Sequence, residues 1–486
     1  MSTQSAKLTV KLVDKSSFVP VGGGTYVGAV VTASKGKLGK VYTINTEAEL
    51  IEAFGPVTAD HIGLVAAKKY LEKGSSLQLV RVAHSSVAYA SANINSSDSS
   101  PILKAKAKEP GTYGNGLVVE VSSPASGSAT VRVLEGTTLL ESKAISLVSS
   151  AENYVEKVEF EFITIEDTTE GASSTVSLKA GTVKLTGGND GISDINASDY
   201  VGTNEHGIPT GAQLFRSTKT PLNIIATFGV THKALINELI VIADSRKDCI
   251  VICDTPSGLT YSDACDWADG EGTYDSENAI TGWNVAVYWD WQFYTVNGKQ
   301  ILCPATAYVA ANAYASDKEY GVQYPVAGFK RGIVTSEGVP LNPDVNVRDI
   351  MVARNVNPIA DMGALGIAIM GNDTRNPGSS DLGSIHVVRE LLKIMSAIGE
   401  FTQQLFFELH NEATWNSWVD SCTAYLESEK TAQGVNWYQV KMDRTTMTDN
   451  DIANRVAKGV VQLQFFADAE VFELSYVVEN SGKEME

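Results

Sequence analysis

Positive charge is scarce in this chain: 38 lysines and arginines face 57 aspartates and glutamates, a formal balance of −19. Such a surface repels phosphate backbones and anionic membrane faces, which excludes a broad nucleic-acid or lipid footprint and points to proteins as partners. Long apolar runs are missing too, since no stretch has the length needed to span a bilayer. The first residues show no basic segment, apolar core or small-residue cleavage site, so no secretion signal is expected. Cysteine is sparse, odd in number and scattered: Cys249, Cys253, Cys265, Cys303 and Cys422 read as buried thiols of a reducing compartment, not as a disulfide framework.

Familiar chemistry is also thin. Gly22-Gly23-Gly24 lacks the lysine of a phosphate-binding loop, and Gly187-Gly188-Asn189-Asp190-Gly191 lacks the spacing of a dinucleotide fingerprint and reads as a turn. His410-Asn411-Glu412 has no second histidine at the spacing a zinc site needs, so no metal is expected. His61, His84, His206, His232, His386 and His410 never cluster; His386 shares the polar face of its helix with Arg389, Glu390 and Lys393 and reads as solvated. Ser257, in Asp254-Thr255-Pro256-Ser257-Gly258, follows an expected strand where an α/β hydrolase could place a nucleophile. Without a G-x-S-x-G elbow it reads as turn chemistry.

What is present is a mosaic of textures. At 486 residues, 43% of them apolar, two to four domains with their own cores are expected. Leu8–Val13 alternates with a period of two and is set off by Pro20 and the Gly22–Gly24 turn, which marks residues 1–22 as an arm. Strand-like runs at Tyr26–Val31 and Leu77–Val82 bracket two helices, one opened by Thr46-Glu47-Ala48-Glu49 and one over Ala59–Lys73. Residues 91–189 turn to Ser, Thr, Gly and Val with alternating runs at Thr130–Val133 and Val158–Ile165, the pattern of an inserted all-β domain.

Helical patterns over His232–Ala243, Ser262–Ala268 and Ala305–Ala315 alternate with apolar runs at Ile250–Cys253 and Val285–Tyr288, so 23–90 together with 190–345 forms an α/β domain. Residues 346–468 form an α+β core domain. Its helical stripes are Ile385, Val388, Leu392, Met395 and then Trp415, Trp418, Val419, Cys422, Tyr425 and Leu426. A last helix is expected over Asp449–Ala467, capped by Thr448, with Ile452, Val456, Val460 and Leu463 inward and Arg455, Lys458 and Gln462 on another face. Residues 469–486 close with Val471–Val478, a strand placing Phe472, Leu474, Tyr476 and Val478 on one side.

Several of these stretches, in order, resemble the contractile tail sheath family. They are Phe54-Gly55-Pro56, Leu79-Val80-Arg81-Val82, Glu109-Pro110-Gly111-Thr112-Tyr113-Gly114-Asn115 and Leu185–Gly191 with Ala197-Ser198-Asp199-Tyr200. Further on come Tyr288-Trp289-Asp290-Trp291, Pro304 with its small-residue helix, Pro325-Val326-Ala327-Gly328, Asn346-Val347-Arg348, and Phe407-Glu408 with Asn411 and Thr414-Trp415. The chain departs from the family at Cys303-Pro304-Ala305 and Tyr324-Pro325, which bears on the subfamily.

The resemblance implies a mechanical polymer and no enzyme, cofactor or nucleotide. Stacked rings of six copies would surround an inner tail tube protein, bounded by baseplate and tail terminator proteins, in a virion or a bacteriocin-like injection particle assembled in the host cytoplasm. It also implies that terminal arms add strands to neighbouring copies: Leu8, Val10 and Leu12 at one end, Phe472, Leu474, Tyr476 and Val478 at the other. Arg455, Lys458 and Gln462 would face the tube, and residues 91–189 would decorate the outside. The rival from another class is an α/β hydrolase using Asp254, Ser257 and a histidine.

Overall fold

A computed structural model of the protein describes residues 24–169, 176–274, 278–378 and 380–469. The segments expected as arms, Leu8–Val13 and Val471–Val478, lie outside the described residues. The chain divides into two compact units between Gly399 and Glu400.

Short, continuous apolar runs dictate the centre of the first unit. Val27–Val31, Leu77–Arg81, Ile250–Asp254 and Val285–Trp289 are buried at every position, as parallel strands covered on both faces must be. With Ile224–Ala226 and Val356–Asp361 they pair in parallel, and Val41–Ile44 and Ile367–Ile369 close the two sides antiparallel. The order across the eight strands is 367–369, 356–361, 285–289, 250–254, 224–226, 27–31, 77–81, 41–44.

Alternate residues of each strand feed two cores. Val27, Ala29, Val31, Leu77 and Leu79 pack with residues of the helices Glu47–Phe54, Ile62–Leu71, Ala305–Glu319 and Ile385–Gln403. Val30, Val80, Val251 and Val287 pack with those of Lys233–Arg246 and Tyr261–Asp269 on the other face. The result is a three-layer α/β body. Its sheet runs past residue 345, where a boundary was expected, because the buried strand Val356–Asp361 pairs with Val285–Trp289.

Residues from Ala90 to Leu185 build a third core of their own from antiparallel strands. Leu117–Ala125, Ser128–Glu135 and Thr138–Ser146 form a meander completed by Gly181–Lys184, and Ser91–Asn95, Pro101–Ala107 and Ile163–Asp167 form a second sheet. The strand expected over Val158–Ile165 begins only at Ile163.

In the second unit the helix Glu412–Thr431 buries Trp415, Trp418, Cys422 and Leu426. The helix expected over Asp449–Ala467 is not formed. The Thr448/Asp451 capping box opens only the short helix Asp449–Ala453. Arg455 then takes a left-handed conformation (φ 61°), and Gly459 passes so close to Trp418 that a Cβ there would lie 2.5 Å from its ring. Val460–Gln464 continues as a strand antiparallel to Trp437–Lys441. The spacing of Ile452, Val456, Val460 and Leu463 was ambiguous, and the β-branched pair Val460-Val461 is used in a strand.

No helix among the described residues is long and apolar enough to cross a membrane.

Candidate functional site

In open α/β sheets ligands bind beyond the carboxyl ends of the parallel strands, so that region is the place to look for chemistry. Here it is filled. Asp254, at the end of its strand, is fully buried and accepts hydrogen bonds from Thr227 Oγ1 (2.9 Å), Gly229 N (2.9 Å), Thr306 N (2.8 Å) and Thr306 Oγ1 (2.6 Å). Burial pushes its carboxyl up while these donors pull it down, and burial prevails. Trp291 donates its indole N–H to Thr255 O (2.8 Å), and Trp289 does the same to Leu259 O (3.0 Å). Gly229, at φ 86°, is wedged where a Cβ would meet Pro304 and Trp291 within 3 Å. Ser257 is exposed in its turn, and among the described residues no hydrogen bond joins it to Asp254 or a histidine. Asp254 is a structural brace between strands and the helix Ala305–Glu319.

Other polar groups are likewise spent on structure. His386 is buried, not solvated, with Nδ1 2.8 Å from Asn372 Nδ2. Arg389 and Glu390 are buried beside it, and Arg389 pairs with Asp317, which also accepts from Thr25 Oγ1. These partners lie up to 364 residues away along the chain for Thr25 and Arg389, which is why a local reading of the helix face missed them. His410 Nδ1 accepts from Trp415 Nε1 (3.2 Å). All five cysteines are buried and unpaired. Among the described residues no set of three or more His, Cys, Asp or Glu side chains could hold a metal ion.

The second unit carries a different kind of site. Two strands pair with each other there: Trp437 lies opposite Gln464, Gln439 opposite Gln462 and Lys441 opposite Val460. One face, with Tyr438, Val440, Val461 and Leu463, is half-buried. Tyr438 donates to Glu427 Oε2 of the helix Glu412–Thr431 (2.7 Å). The other face, with Trp437, Gln439, Lys441, Val460, Gln462 and Gln464, is exposed. Among the described residues neither outer edge pairs with a third strand. An isolated two-stranded sheet is marginal in water and its edges are templates for another strand.

The sequence-predicted tube-facing residues do not share a helix face. Gln462 sits in the strand, Lys458 pairs with Asp451 at 2.6 Å, and Arg455 is exposed in its left-handed turn without an ion pair among the described residues.

No family model matches the chain. The fold, an α/β body with a β-rich third core and a separate C-terminal unit, is that of sheath proteins. The crystal structure of a sheath tail protein from Desulfitobacterium hafniense superposes with a TM-score of 0.60 at 13% identity, covering 92% of this chain and 93% of that one. The contracted helical sheath of the anti-feeding prophage does so with a TM-score of 0.55 at 14% identity, over 98% and 99%. In sequence, the tail sheath protein of Enterobacteria phage T4 is 23% identical over 343 residues, 68% of this chain. The chain spans about half the length of that curated relative. Relatives found by sequence and by fold are thus sheath proteins, the family that the ordered motifs resemble.

Proposed function

We propose that this protein is the structural subunit of a contractile tail sheath. It polymerises as stacked six-membered rings around an inner tube protein and shortens to drive that tube through a target envelope. Baseplate and terminator proteins bound the polymer, no nucleic acid or membrane is contacted directly, and the work is done without catalysis or a cofactor. The filled Asp254 region supports the mechanical reading over a hydrolase. The free energy is held in the lattice: an extended packing relaxes to a better contracted one, with small differences per copy summed over many. A bacteriocin or injection particle would use the same mechanics, and the likeness to the anti-feeding prophage sheath favours keeping that second setting.

The observation that carries this reading is the two-stranded sheet Trp437–Lys441 and Val460–Gln464, neither of whose outer edges pairs with a third strand among the described residues. Copies that slide during contraction need links that survive the motion, and main-chain ladders between strands provide them. The alternating segments with Leu8, Val10 and Leu12, and with Phe472, Leu474, Tyr476 and Val478, are the strands we assign to those edges in neighbouring copies. In this arrangement residues 91–189 face outward, and Arg455 and Lys458 are the cations we assign to the tube. Deleting Met1–Lys15 should leave a folded, soluble chain that forms no tubes; normal tubes by electron microscopy would refute the assignment.

A further inference from the structure

The loop between the helices Ile385–Gln403 and Glu412–Thr431 does something a folded chain ordinarily avoids. Phe407 is 97% and Leu409 75% exposed. The loop is also firmly built. Successive short-range bonds run from Gln404 N to Phe401 O, Leu405 N to Thr402 O and Glu408 N to Leu405 O. The carbonyl of Leu409 accepts from Asn411 N (2.9 Å) and Thr414 Oγ1 (2.7 Å). Phe407 itself is held at φ 64°, a conformation costly for an aromatic residue and found where a segment is kept for binding. Two large apolar side chains are therefore displayed, not left over, on a preorganised projection. Glu408 and Glu412 flank them, exposed and in no ion pair among the described residues.

A surface of matching character lies in the first unit, beside the outer strand Ile367–Ile369. Ile333 bridges to Ala368, and a Cβ at Gly366 would touch its Cδ1 at 3.8 Å. Phe329, Ile333 and Leu365 are 44%, 36% and 61% exposed there. The adjoining cations, Lys330 and Arg331, have aromatic rings in place of acids: Lys330 stands 5.2 Å from the Tyr320 ring centre, and Arg331 5.0 Å from that of Tyr324. On a chain with 19 more acids than bases, an apolar area edged by cations in no ion pair among the described residues is the kind of surface an acid-flanked apolar projection requires.

We infer that Phe407 and Leu409 of one copy insert against Phe329, Ile333 and Leu365 of another, with Glu408 facing Lys330. The contact rests on the self-assembling reading above and adds to it a side-chain lock distinct from strand exchange. It joins two different surfaces, so it is heterologous and propagates into a ring or helix, not a closed pair.

The test uses the full-length chain and two readouts, melting of the unassembled protein and the amount of polymer pelleted. Phe407→Ala with Leu409→Ala removes only exposed groups. It should leave melting unchanged and lower pelletable polymer by about tenfold or more, the loss expected of a buried aromatic anchor. Glu408→Lys alone and Lys330→Glu alone should each weaken assembly, and mixing both changes in one chain should restore it. Alanine variants that polymerise like the wild type, while the wild type does polymerise, overturn the contact and leave the sheath reading standing. Loss with alanine but no rescue by the reciprocal charges overturns the pairing with this surface. A wild-type chain that stays a discrete species at every concentration overturns the sheath reading and this inference with it.

Discussion

The eight-stranded sheet and the two-stranded sheet each contain five-residue strands but use them for opposite ends. Val285–Trp289 buries all five residues between two layers of helices, whereas Trp437–Lys441 alternates exposed and half-buried and has one neighbour among the described residues. The first is covered on both faces; the second pairs with no third strand among the described residues, and such edges are templates for another strand. A substitution in the first should be felt as stability, and one in the second as assembly.

The largest effect is expected at Asp254. Asp254→Ala strands four buried donors, from Thr227, Gly229 and Thr306, and should cost ~3 kcal/mol or more of unfolding free energy. Chemical denaturation measures it; a loss within ~0.5 kcal/mol would show that the brace is dispensable.

Asp290 should make the body's stability depend on pH. It is buried, its Oδ1 accepts from Trp291 N (2.6 Å), and its Oδ2 has no partner among the described residues. Burial pushes its carboxyl up to about 6, well above the ordinary aspartate range. The folded state then holds the proton more tightly than the unfolded chain, so the stabilisation is full below about pH 4 and is lost as pH rises through about 6. Relative to Asp290→Asn, the wild type should lose on the order of 3 kcal/mol across that window. Parallel stability curves for the two proteins would contradict this.

In the second unit, Gly459→Ala pushes a methyl into the ring of Trp418 and should cost about 1–3 kcal/mol of that unit's stability, read by tryptophan fluorescence. The smallest effect belongs to Asp451, held near 2 by Lys458 and the Thr448 cap. Its contribution is present above about pH 4 and fades as pH falls toward 2, so Lys458→Ala should lower melting slightly at neutral pH and leave it unchanged near pH 2.

The same contrast explains what the sequence discloses. Continuous apolar runs at Ile250–Cys253 and Val285–Tyr288 and the small-residue stretch from Ala305 are local signals, and each became the expected strand or helix. So did the strand from Leu77 and the stripe Trp415, Trp418, Cys422, Leu426. The burial of His386 and Arg389 was not legible, because it depends on Asn372 and Asp317, which no spacing along their helix reveals. Nor was the end of the last helix, where Arg455 turns left-handed and Gly459 yields to Trp418, a residue 41 positions earlier. The helical spacing of Ile452, Val456, Val460 and Leu463 masked the strand Val460–Gln464. Phe407 lay in the family-like stretch, but its exposure follows only from the turn that holds it.

The central claim is that strands donated by other copies complete the sheet of Trp437–Lys441 and Val460–Gln464. Electron cryo-microscopy of the assembled protein addresses it directly. The account predicts foreign strands carrying Leu8–Val13 and Val471–Val478 along its two edges. A reconstruction with both termini folded onto their own chain, and no sheet shared between copies, would contradict it.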